Sequence, residues 1–248
     1  MRESSLLAKV FETFQIWGTL AGAGTPPLLG WCAVCSKGGV MARALNLYRG
    51  ACRWRNNRKI SKMVTTISPK FAKELAAQPS LKVATVAAGC FWGVEHIYRK
   101  HFLNEGLIDT AVGYTGGTTS DPTYREVCSK DTYHAEGLQI LFNPAKLSYE
   151  KIIDFFFRIH DPTTLNRQGP DQGTQYRSAI FTHDESQSAI AHKTREEFQK
   201  SFWKDQIKTH IEPIQNWWDA EQYHQLYLDK NPDGYECPTH YVRTSPQL

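Results

Sequence analysis

The sequence contains few cysteines and no long apolar run. Its six cysteines, at positions 32, 35, 52, 90, 128 and 237, are too few in a chain of 248 residues for a disulfide-stapled scaffold. No second Cys or His pair complements Cys32-x-x-Cys35, which argues against a structural zinc site. No apolar run reaches the ~18 residues that a membrane-spanning helix needs. Disulfide-rich, zinc-binding and membrane-spanning classes are therefore not expected.

Acidic residues are almost missing from the N-terminal part of the chain. Residues 1–80 hold 12 Lys+Arg against 3 Asp+Glu, whereas residues 81–248 hold 17 against 22. Ten basic residues and no acidic one lie between Lys37 and Lys73. Such an asymmetry is typical of a tail with its own role. We therefore predict a basic extension, disordered or targeting, over residues 1–80 and a folded domain over residues 81–248.

The basic segment has three open interpretations. An Arg-rich, acid-free stretch resembles a mitochondrial transit peptide, although it would be N-terminal only if translation began at Met41. It is also compatible with a disordered extension or with a patch that binds nucleic acid. We expect a cytoplasmic protein, with mitochondrial targeting by this segment as the alternative.

Strand and helix patterns mix from residue 81 onward without regular βα alternation. The run "LKVATVAAG" predicts a buried strand, and "WGVEHIYRKHF" predicts a helix. Ser148 as an N-cap and Pro162 as a stop enclose a second helix. Further strands are predicted in "IDTAVGY", "HAEGLQILFNP", "TQYRSAIFTH" and "QIKTHIEPI", and further helices in "DESQSAIAHKTREEFQKSFW" and "DAEQYHQLYLDKNP". The mixture predicts an α+β fold, a sheet with helices packed on it.

Cys90 lies where the first strand ends and the first helix begins, in "AAGCFWGVEH". A thiol there meets unpaired N–H groups and the positive end of the helix dipole. Both favour the thiolate and lower the pKa of the thiol, which predicts a nucleophile. The next residues, Phe91 and Trp92, are compatible with a core role or with a pocket for a small apolar group such as a methyl. His96 and His101 follow on the same helix as candidate bases of a cysteine protease, but the sequence shows no partner that would orient either ring.

Glu136 shares a strand face with Leu138, Ile140 and Phe142 in "HAEGLQILF". A carboxyl on an apolar face is costly to ionise, so desolvation raises its pKa and keeps it protonated near neutrality. A protonated carboxyl is what a general acid requires. The alternative is that Glu136 lies at the end of the strand and reaches solvent.

Four blocks of the sequence resemble the A-type peptide-methionine sulfoxide reductases, and they look most like the fungal members. The blocks are "GCFWGVEHIYRKHF", "VGYTGGTTSDPTYREVCSKDTYHAEGLQILFNP", "FFFRIHDPTTLNRQGPDQGTQYRSAIF" and "AEQYHQLYLDKNPDGYECP". They stand in the family's order, from about residue 82 to the C-terminus. The resemblance implies a peptide-methionine (S)-S-oxide reductase domain over residues 81–248. It also implies a two-layer α+β sandwich with a mixed sheet, related to the ferredoxin-like plait.

The resemblance implies that Cys90 is the nucleophile and that Phe91 and Trp92 hold the methyl group of the substrate. Attack on the sulfoxide would yield methionine and a sulfenic acid on Cys90. Cys237, in the Gly/Pro-rich stretch "KNPDGYECPTHY", would be the resolving thiol, and a mobile tail would suit that role. Thioredoxin would then reduce the Cys90–Cys237 disulfide.

Four further positions match residues that the family places around the sulfoxide oxygen. Glu136 would donate a proton to that oxygen, and Tyr124 and Tyr176 would hydrogen-bond it. Asp171 would help to order water and the site. Together these groups would stabilise the charge that develops on the oxygen.

This chain departs from many relatives in its tail, which carries one cysteine where they carry two. We therefore expect a two-cysteine cycle in which thioredoxin acts directly on Cys90–Cys237. Cys128 is expected to be a packing thiol. Asp121 replaces the family's usual Asn at the start of a turn before Pro122, with little expected consequence.

The expected partners are thioredoxin as reductant and either oxidised proteins or free methionine sulfoxide as substrate. We expect a monomer with no metal or organic cofactor, and no nucleic-acid or membrane partner. Two alternatives remain open. The stretch "WCAVC" at 31–35 has the Trp-Cys-x-x-Cys pattern of a thioredoxin-like motif but lacks its βαβ context. Alternatively, the protein is a binding module with a basic arm for nucleic acid or a membrane surface on an inactive scaffold.

Overall fold

The computed structural model describes residues 65–129 and 131–247. The Cys32-x-x-Cys35 pair, Cys52 and the basic segment up to residue 64 lie outside the described residues. The predictions made for them therefore stay predictions.

The described residues form six α-helices and eight strands. The helices are α1 (Ala72–Ala77), α2 (Phe91–Phe102), α3 (Tyr124–Cys128), α4 (Tyr149–Ile159), α5 (Glu185–Ser201) and α6 (Tyr227–Lys230). The strands are β1 (Lys82–Ala88), β2 (Leu107–Thr115), β3 (Ala135–Phe142), β4 (Arg167–Gln168), β5 (Asp171–Gln172), β6 (Ser178–Thr182), β7 (His210–Pro213) and β8 (Trp218–Asp219). Short 3-10 turns precede α1 and β6, at Pro69–Phe71 and Thr174–Tyr176.

Six strands form one mixed sheet in the order β7-β6-β1-β3-β2-β8. Neighbouring strands are antiparallel except β6 and β7, which are parallel. Strands β4 and β5, which lie in the loop after α4, form a separate two-stranded hairpin. The predicted α+β fold with a mixed sheet is confirmed.

The helices α2, α4 and α5 pack on one face of the sheet. Alternating residues of β1, such as Ala84 and Val86, point into this layer and join one large apolar cluster with α4, where Phe156 and Phe157 are fully buried. Ser148 caps the N-terminus of α4 by accepting a hydrogen bond from the Lys151 N–H at 3.1 Å, as predicted. Local pattern and local capping therefore agree with the tertiary fold on this face.

The opposite face of the sheet is covered in part by residues 65–81. Phe71 is fully buried there in a cluster with Val83, Leu141 and Trp217. Ser68 N–H donates to the side chain of Gln139 on β3 at 2.8 Å. The sequence assigned residues 65–80 to the extension, whereas the structure packs them on the sheet. The exact domain boundary stays a prediction.

The last predicted helix is wrong over most of its length. Only Tyr227–Lys230 is helical, because residues 218–226 use their polar groups for distant partners. Trp218–Asp219 pairs with β2, and the Gln225 side chain bonds both the N–H and the C=O of Val112, at 3.0 and 2.8 Å. Leu226 then takes a left-handed φ of 54°, which interrupts helical geometry. Long-range hydrogen bonds have overridden the helical pattern.

Candidate active site

Cys90 lies in the turn that joins β1 to α2. β1 ends at Ala88, Gly89 has a left-handed φ of +96°, and Cys90 is the N-cap of α2. A side chain at Gly89 would be strained by this φ, and its Cβ would lie 2.6 Å from the Cβ of Gln168. The turn leaves Cys90 only 6% exposed. The predicted position at a strand–helix junction is confirmed.

The thiol of Cys90 is protonated in the free protein. Burial raises its pKa above the ordinary value of 9.0, and the charges of Glu136 and Asp171 raise it further. The backbone N–H groups of Trp92 and Gly93 act in the opposite direction, as expected at a helix N-terminus. Because burial outweighs them, the prediction of a lowered pKa is wrong.

Glu136 lies on β3, the strand next to β1, and is 2% exposed. Its Oε2 accepts a hydrogen bond of 3.1 Å from the N–H of Phe91, the residue after Cys90. Burial raises the pKa of Glu136 from 4.5 to about 8; the Phe91 N–H opposes this shift and the charge of Asp171 adds to it. The carboxyl is therefore mostly protonated at neutral pH and can donate a proton beside the thiol. The alternative, in which Glu136 reaches solvent, is wrong.

Tyr124 and Tyr176 are half-buried and close to each other. Tyr124 is the first residue of α3, and Tyr176 ends the 3-10 turn before β6. Their hydroxyls are hydrogen-bonded. Burial, followed by the charge of Glu136, raises the pKa of both phenols above 10, and the charge of Cys90 adds to the shift at Tyr176. Both phenols are therefore protonated donors near Glu136, and their bonding to a sulfoxide oxygen stays a prediction.

Asp171 influences both cysteines of the predicted cycle, Cys90 through its charge and Cys237 through a hydrogen bond. Its charge raises the pKa of Cys90, and its side chain is hydrogen-bonded to the thiol of Cys237. Its Oδ1 accepts a 2.9 Å hydrogen bond from the Tyr235 hydroxyl. Its Oδ2 is buried and has no hydrogen-bond partner among the described residues. A buried acceptor of this kind fits an ordered water or a substrate donor.

Phe91 and Trp92 belong to an aromatic cluster completed by the C-terminal part of the chain. Trp92 stacks on Tyr227 with 3.8 Å between ring centroids, and its indole N–H donates to Nδ1 of His224 at 3.0 Å. The His224 ring lies 5.1 Å from Phe91 and 4.6 Å from Tyr124. His224 therefore touches both the predicted methyl pocket and one of the predicted oxygen-binding phenols.

Glu221 stabilises this cluster by hydrogen bonds to two of its neighbouring tyrosines. Its Oε2 accepts from the Tyr114 hydroxyl at 2.8 Å, and its Oε1 accepts from the Tyr124 N–H at 2.9 Å. Burial raises the pKa of Glu221, but these hydrogen bonds and the nearby His224 lower it more, and the net shift is downward. Glu221 is thus a carboxylate that orients α3 and carries no proton to donate.

Sequence reasoning missed His224, Tyr227, Glu221 and Tyr114. The first three lie in the block "AEQYHQLY", which resembles the family but was interpreted as a helix. The signal that could have found them is the number of polar and aromatic residues there with no apolar stripe. Tyr114 sits in a strand that reads as ordinary core, and nothing in the sequence sets it apart.

Cys237 is buried at 1% exposure, and the expectation that it lies in a mobile tail is wrong for its immediate surroundings. Its Sγ lies 3.7 Å from the carbonyl oxygen of Gln168 and 3.3 Å from Oγ1 of Thr239. Burial raises its pKa, and the hydrogen bond with Asp171 also raises it. Gln168 in turn lies against Gly89. The predicted resolving thiol therefore contacts Gln168, whose side chain lies against the residue that precedes Cys90.

The two candidate histidines lie away from this cluster, whereas Cys128 contacts one of its phenols. His96 faces Asp229 at 3.6 Å and the His101 ring packs on Phe155 at 4.7 Å, so neither is placed as a base for Cys90. Cys128 is half-buried, and it accepts a hydrogen bond from Tyr124. Cys90, Cys128 and Cys237 are all free thiols.

No metal centre or membrane span is present in the part of the chain that the structure describes. Within residues 65–129 and 131–247, no three or more His, Cys, Asp or Glu side chains are grouped to hold a metal ion. No described helix has the length and apolar character to cross a membrane.

Known proteins resemble this chain in both sequence and fold. The "Probable peptide methionine sulfoxide reductase" of Schizosaccharomyces pombe is 54% identical over 165 residues, which cover 66% of this chain and 97% of that protein. The "Peptide methionine sulfoxide reductase" of Saccharomyces cerevisiae is 53% identical over 168 residues, 65% of this chain and 90% of that protein.

Solved structures of methionine sulfoxide reductases also match this chain. Reduced Mxr1 from Saccharomyces cerevisiae matches with a TM-score of 0.64 and 48% identity, over 73% of this chain and 97% of that one. Methionine sulfoxide reductase A of Corynebacterium diphtheriae matches with a TM-score of 0.60 and 34% identity, over 69% and 85%. Residues 82–247 match the family described as "Peptide methionine sulfoxide reductase", and this chain is therefore a member of that family.

Proposed function

We propose that this protein is a peptide-methionine (S)-S-oxide reductase that returns methionine S-sulfoxide, free or in proteins, to methionine. The observation that carries the proposal is the pairing of Cys90 with a protonated Glu136. That carboxyl is bonded to the Phe91 N–H directly after the nucleophile, and burial raises its pKa to about 8. Family membership supports the same activity.

In the first step, the Cys90 sulfur attacks the sulfoxide sulfur. The positive partial charge on that sulfur stabilises the thiolate, so the substrate itself promotes loss of the thiol proton. Glu136 donates its proton to the sulfoxide oxygen, and Tyr124 and Tyr176 hydrogen-bond the oxygen as charge develops on it. The oxygen passes to Cys90, which becomes a sulfenic acid, and methionine leaves reduced by two electrons. The thiol proton replaces the one that Glu136 gives, so no net proton is consumed.

Phe91 and Trp92 bind the substrate methyl group in this proposal. Both rings contact His224, and Trp92 is held flat by its stacking on Tyr227. A rigid aromatic wall offers apolar contact to a methyl but no partner for a polar group. Asp171, with its unpartnered Oδ2, orders water or a substrate N–H at the edge of the site.

In the second step, the thiol of Cys237 condenses with the sulfenic acid of Cys90. The new disulfide is then reduced by the dithiol of thioredoxin through thiol–disulfide exchange. Cys237 is supported as the resolving thiol by its packing on Gln168 and its hydrogen bond with Asp171, the same carboxylate that influences Cys90.

The test is steady-state reduction of the S and R epimers of dabsyl-methionine sulfoxide, with either thioredoxin or dithiothreitol as reductant. We expect the S epimer to be reduced with both reductants and the R epimer with neither. Failure to reduce the S epimer with dithiothreitol would overturn the proposed activity. Failure with thioredoxin alone would overturn only the recycling step.

We also propose that the fold is a two-layer sandwich related to the ferredoxin-like plait. The support is the order of the central elements, β1-α2-β2-β3-α4-β6, whose strands lie as β6-β1-β3-β2 with every pair antiparallel. This is the split βαβ arrangement repeated twice. Strands β7 and β8 would then be additions at the two edges.

The location of the protein is a further proposal. We propose a cytoplasmic enzyme, with mitochondrial import through the acid-free basic stretch as the second candidate. Fluorescent reporters that carry residues 1–64 or residues 41–64 distinguish the two. Reporter signal in mitochondria from residues 41–64 alone would favour import from an internal start at Met41.

A further inference from the structure

The segment that carries Cys237 is seated on glycines that flank the active site. Thr239 lies against Gly169, where a Cβ would come within 2.6 Å of its Cγ2. The ring of His240 lies against Gly93, where a Cβ would overlap its Nδ1. Gly93 is in the first turn of α2, three residues after Cys90. The bare backbone at these glycines therefore leaves room for residues 237–240.

His240 fastens this segment to the backbone that leads into Cys90. Its Nε2 bonds the carbonyl oxygen of Ala88 at 2.7 Å, two residues before the nucleophile. Because a carbonyl only accepts, the ring carries its proton on Nε2. Burial lowers the pKa of His240, which favours the neutral ring with Nδ1 unprotonated. Nδ1 is buried and has no hydrogen-bond partner among the described residues. The side chain is 6% exposed, so one hydrogen bond and close packing hold it in a single orientation.

The hydrogen bonds around His240 transmit this attachment to Cys237. The His240 N–H donates to the Cys237 carbonyl at 3.0 Å and closes a tight turn between them. The Cys237 thiol then lies against the carbonyl of Gln168, whose side chain packs on Gly89. The His240 end of the turn thus contacts the strand–helix junction that presents Cys90 directly, and the Cys237 end contacts it through Gln168.

A second attachment lies beyond His240. The guanidinium of Arg243 donates to the carbonyl oxygens of Arg158, at 3.2 Å, and Thr239, at 3.3 Å. This anchor ties the chain to the end of α4, on the far side of His240 from Cys237. Loss of His240 would therefore remove the attachment of the turn to the Ala88 carbonyl, while Arg243 keeps the rest of the C-terminal segment in place.

We propose that His240 is the positioning residue of the resolving step: it docks the Cys237 turn onto the backbone around Cys90. The inference rests on the proposed function, in which Cys237 resolves the sulfenic acid. In that step the Cys237 sulfur bonds to the Cys90 sulfur, the S–O bond breaks, and the hydroxyl leaves as water with the thiol proton of Cys237. Docking the Cys237 turn on this backbone raises the effective concentration of its thiol toward Cys90, and that concentration falls steeply when the turn is released.

The experiment follows one turnover of the full-length reduced enzyme without any reductant. Methionine release measures the attack by Cys90. Mass spectrometry with dimedone trapping measures the conversion of the sulfenic acid to the Cys90–Cys237 disulfide. We expect His240→Ala to release methionine at a rate within about twofold of wild type, and to form the disulfide at least about tenfold more slowly. His240→Gln should restore most of the rate, because its amide N–H can reach the Ala88 carbonyl in place of Nε2.

Two controls make the result specific. His192→Ala removes an exposed histidine from α5 and should change neither step. His240→Asn keeps a polar side chain that is too short to reach Ala88, and it should resolve as slowly as His240→Ala; it replaces that variant if the alanine form does not fold. Disulfide formation at the wild-type rate in His240→Ala or His240→Asn would overturn the inference, as would an equal slowing of methionine release. If wild type itself releases no methionine, the proposed function fails instead.

Discussion

The central part of the described chain, residues 82–201, and its two ends, residues 65–81 and 218–247, are held together in different ways. The central elements carry their own signals: a β-branched run for β1, a capping serine for α4 and a capping aspartate for α5. The ends have weak periodicity and are fixed by contacts with distant residues, such as Phe71 in the apolar cluster with Trp217. Local sequence patterns therefore predict the central elements, but they do not predict the structure of the two ends.

The same division separates the two steps of the proposed reaction. Cys90, Glu136 and the two phenols belong to the central part and carry the attack on the sulfoxide. Cys237 and His240 belong to the C-terminal end and serve the resolving step, and His224 and Tyr227 add one wall of the pocket. Changes at Cys90 or Glu136 should therefore abolish the first turnover, whereas changes at Cys237 or His240 should spare it.

The largest effect is expected at Cys90. Cys90→Ser should lower methionine release by ~10⁴-fold or more with either reductant, because the hydroxyl is a far weaker nucleophile at this buried site. Cys128→Ser is the matched control, a thiol near the same phenols, and it should keep most of the wild-type rate. Assays of methionine release with dithiothreitol as reductant measure the rates of both variants. Equal losses in the two variants would break the assignment of the nucleophile to the central strand–helix turn.

The next effect is expected at Glu136. Glu136→Gln keeps an acceptor for the Phe91 N–H but has no acidic proton, so kcat should fall by ~10²–10⁴ while the fold is retained. Lowering the pH should not restore activity. Glu221→Gln tests the neighbouring carboxylate, which has no proton to give, and it should cost less. A near-wild-type rate in Glu136→Gln would remove this residue from the mechanism.

Glu136 should also make stability depend on pH. Burial raises its pKa from 4.5 to about 8, so the folded state holds a proton that the unfolded chain has lost between these values. The stability of wild type relative to Glu136→Gln is therefore fully present below about pH 4.5 and is lost as pH rises through about 8. Urea denaturation of both proteins at pH 5 and pH 8 measures the difference. A constant difference would mean that Glu136 is ionised in the folded state.

The smallest effect on catalysis is expected at Phe71. Phe71→Ala should lower the free energy of unfolding by about 3–5 kcal/mol, because the side chain is fully buried, and should leave kcat within about twofold. Lys73→Ala, exposed in the same segment, is the control and should change neither.

Likewise, a chain that begins at residue 57 should be as stable as the full chain, whereas one that begins at residue 81 should not. If the latter is fully stable, residues 65–80 are dispensable and the boundary at residue 80 holds.

The sequence predicts the central site well because its residues sit on elements with strong local patterns. Cys90 follows a strand that ends in glycine, and Glu136 stands on an apolar strand face, so its raised pKa could be foreseen. The pKa of Cys90 could not, because it depends on how much of the thiol is buried, and burial outweighs the helix N-terminus. The direction of a shift is readable only when a single physical cause dominates.

The C-terminal end resists prediction for a different reason. The left-handed turn at Leu226 has no sequence marker such as glycine, and the side chain of Gln225 takes the place of a strand neighbour. The glycine- and proline-rich surroundings of Cys237 indicate a loop but not its attachment through His240. Such features depend on partners more than 100 residues away, which no local window contains.

The most direct test of this division is a single turnover of Cys237→Ser, compared with wild type, followed by steady-state assays with each reductant. The variant should release about one methionine per enzyme at the wild-type rate and accumulate a sulfenic acid on Cys90. It should then stall with thioredoxin and continue with dithiothreitol, which reduces the sulfenic acid directly. Full turnover with thioredoxin, or a disulfide between Cys90 and Cys128, would contradict the assignment of the two steps to the centre and the C-terminal end of the chain.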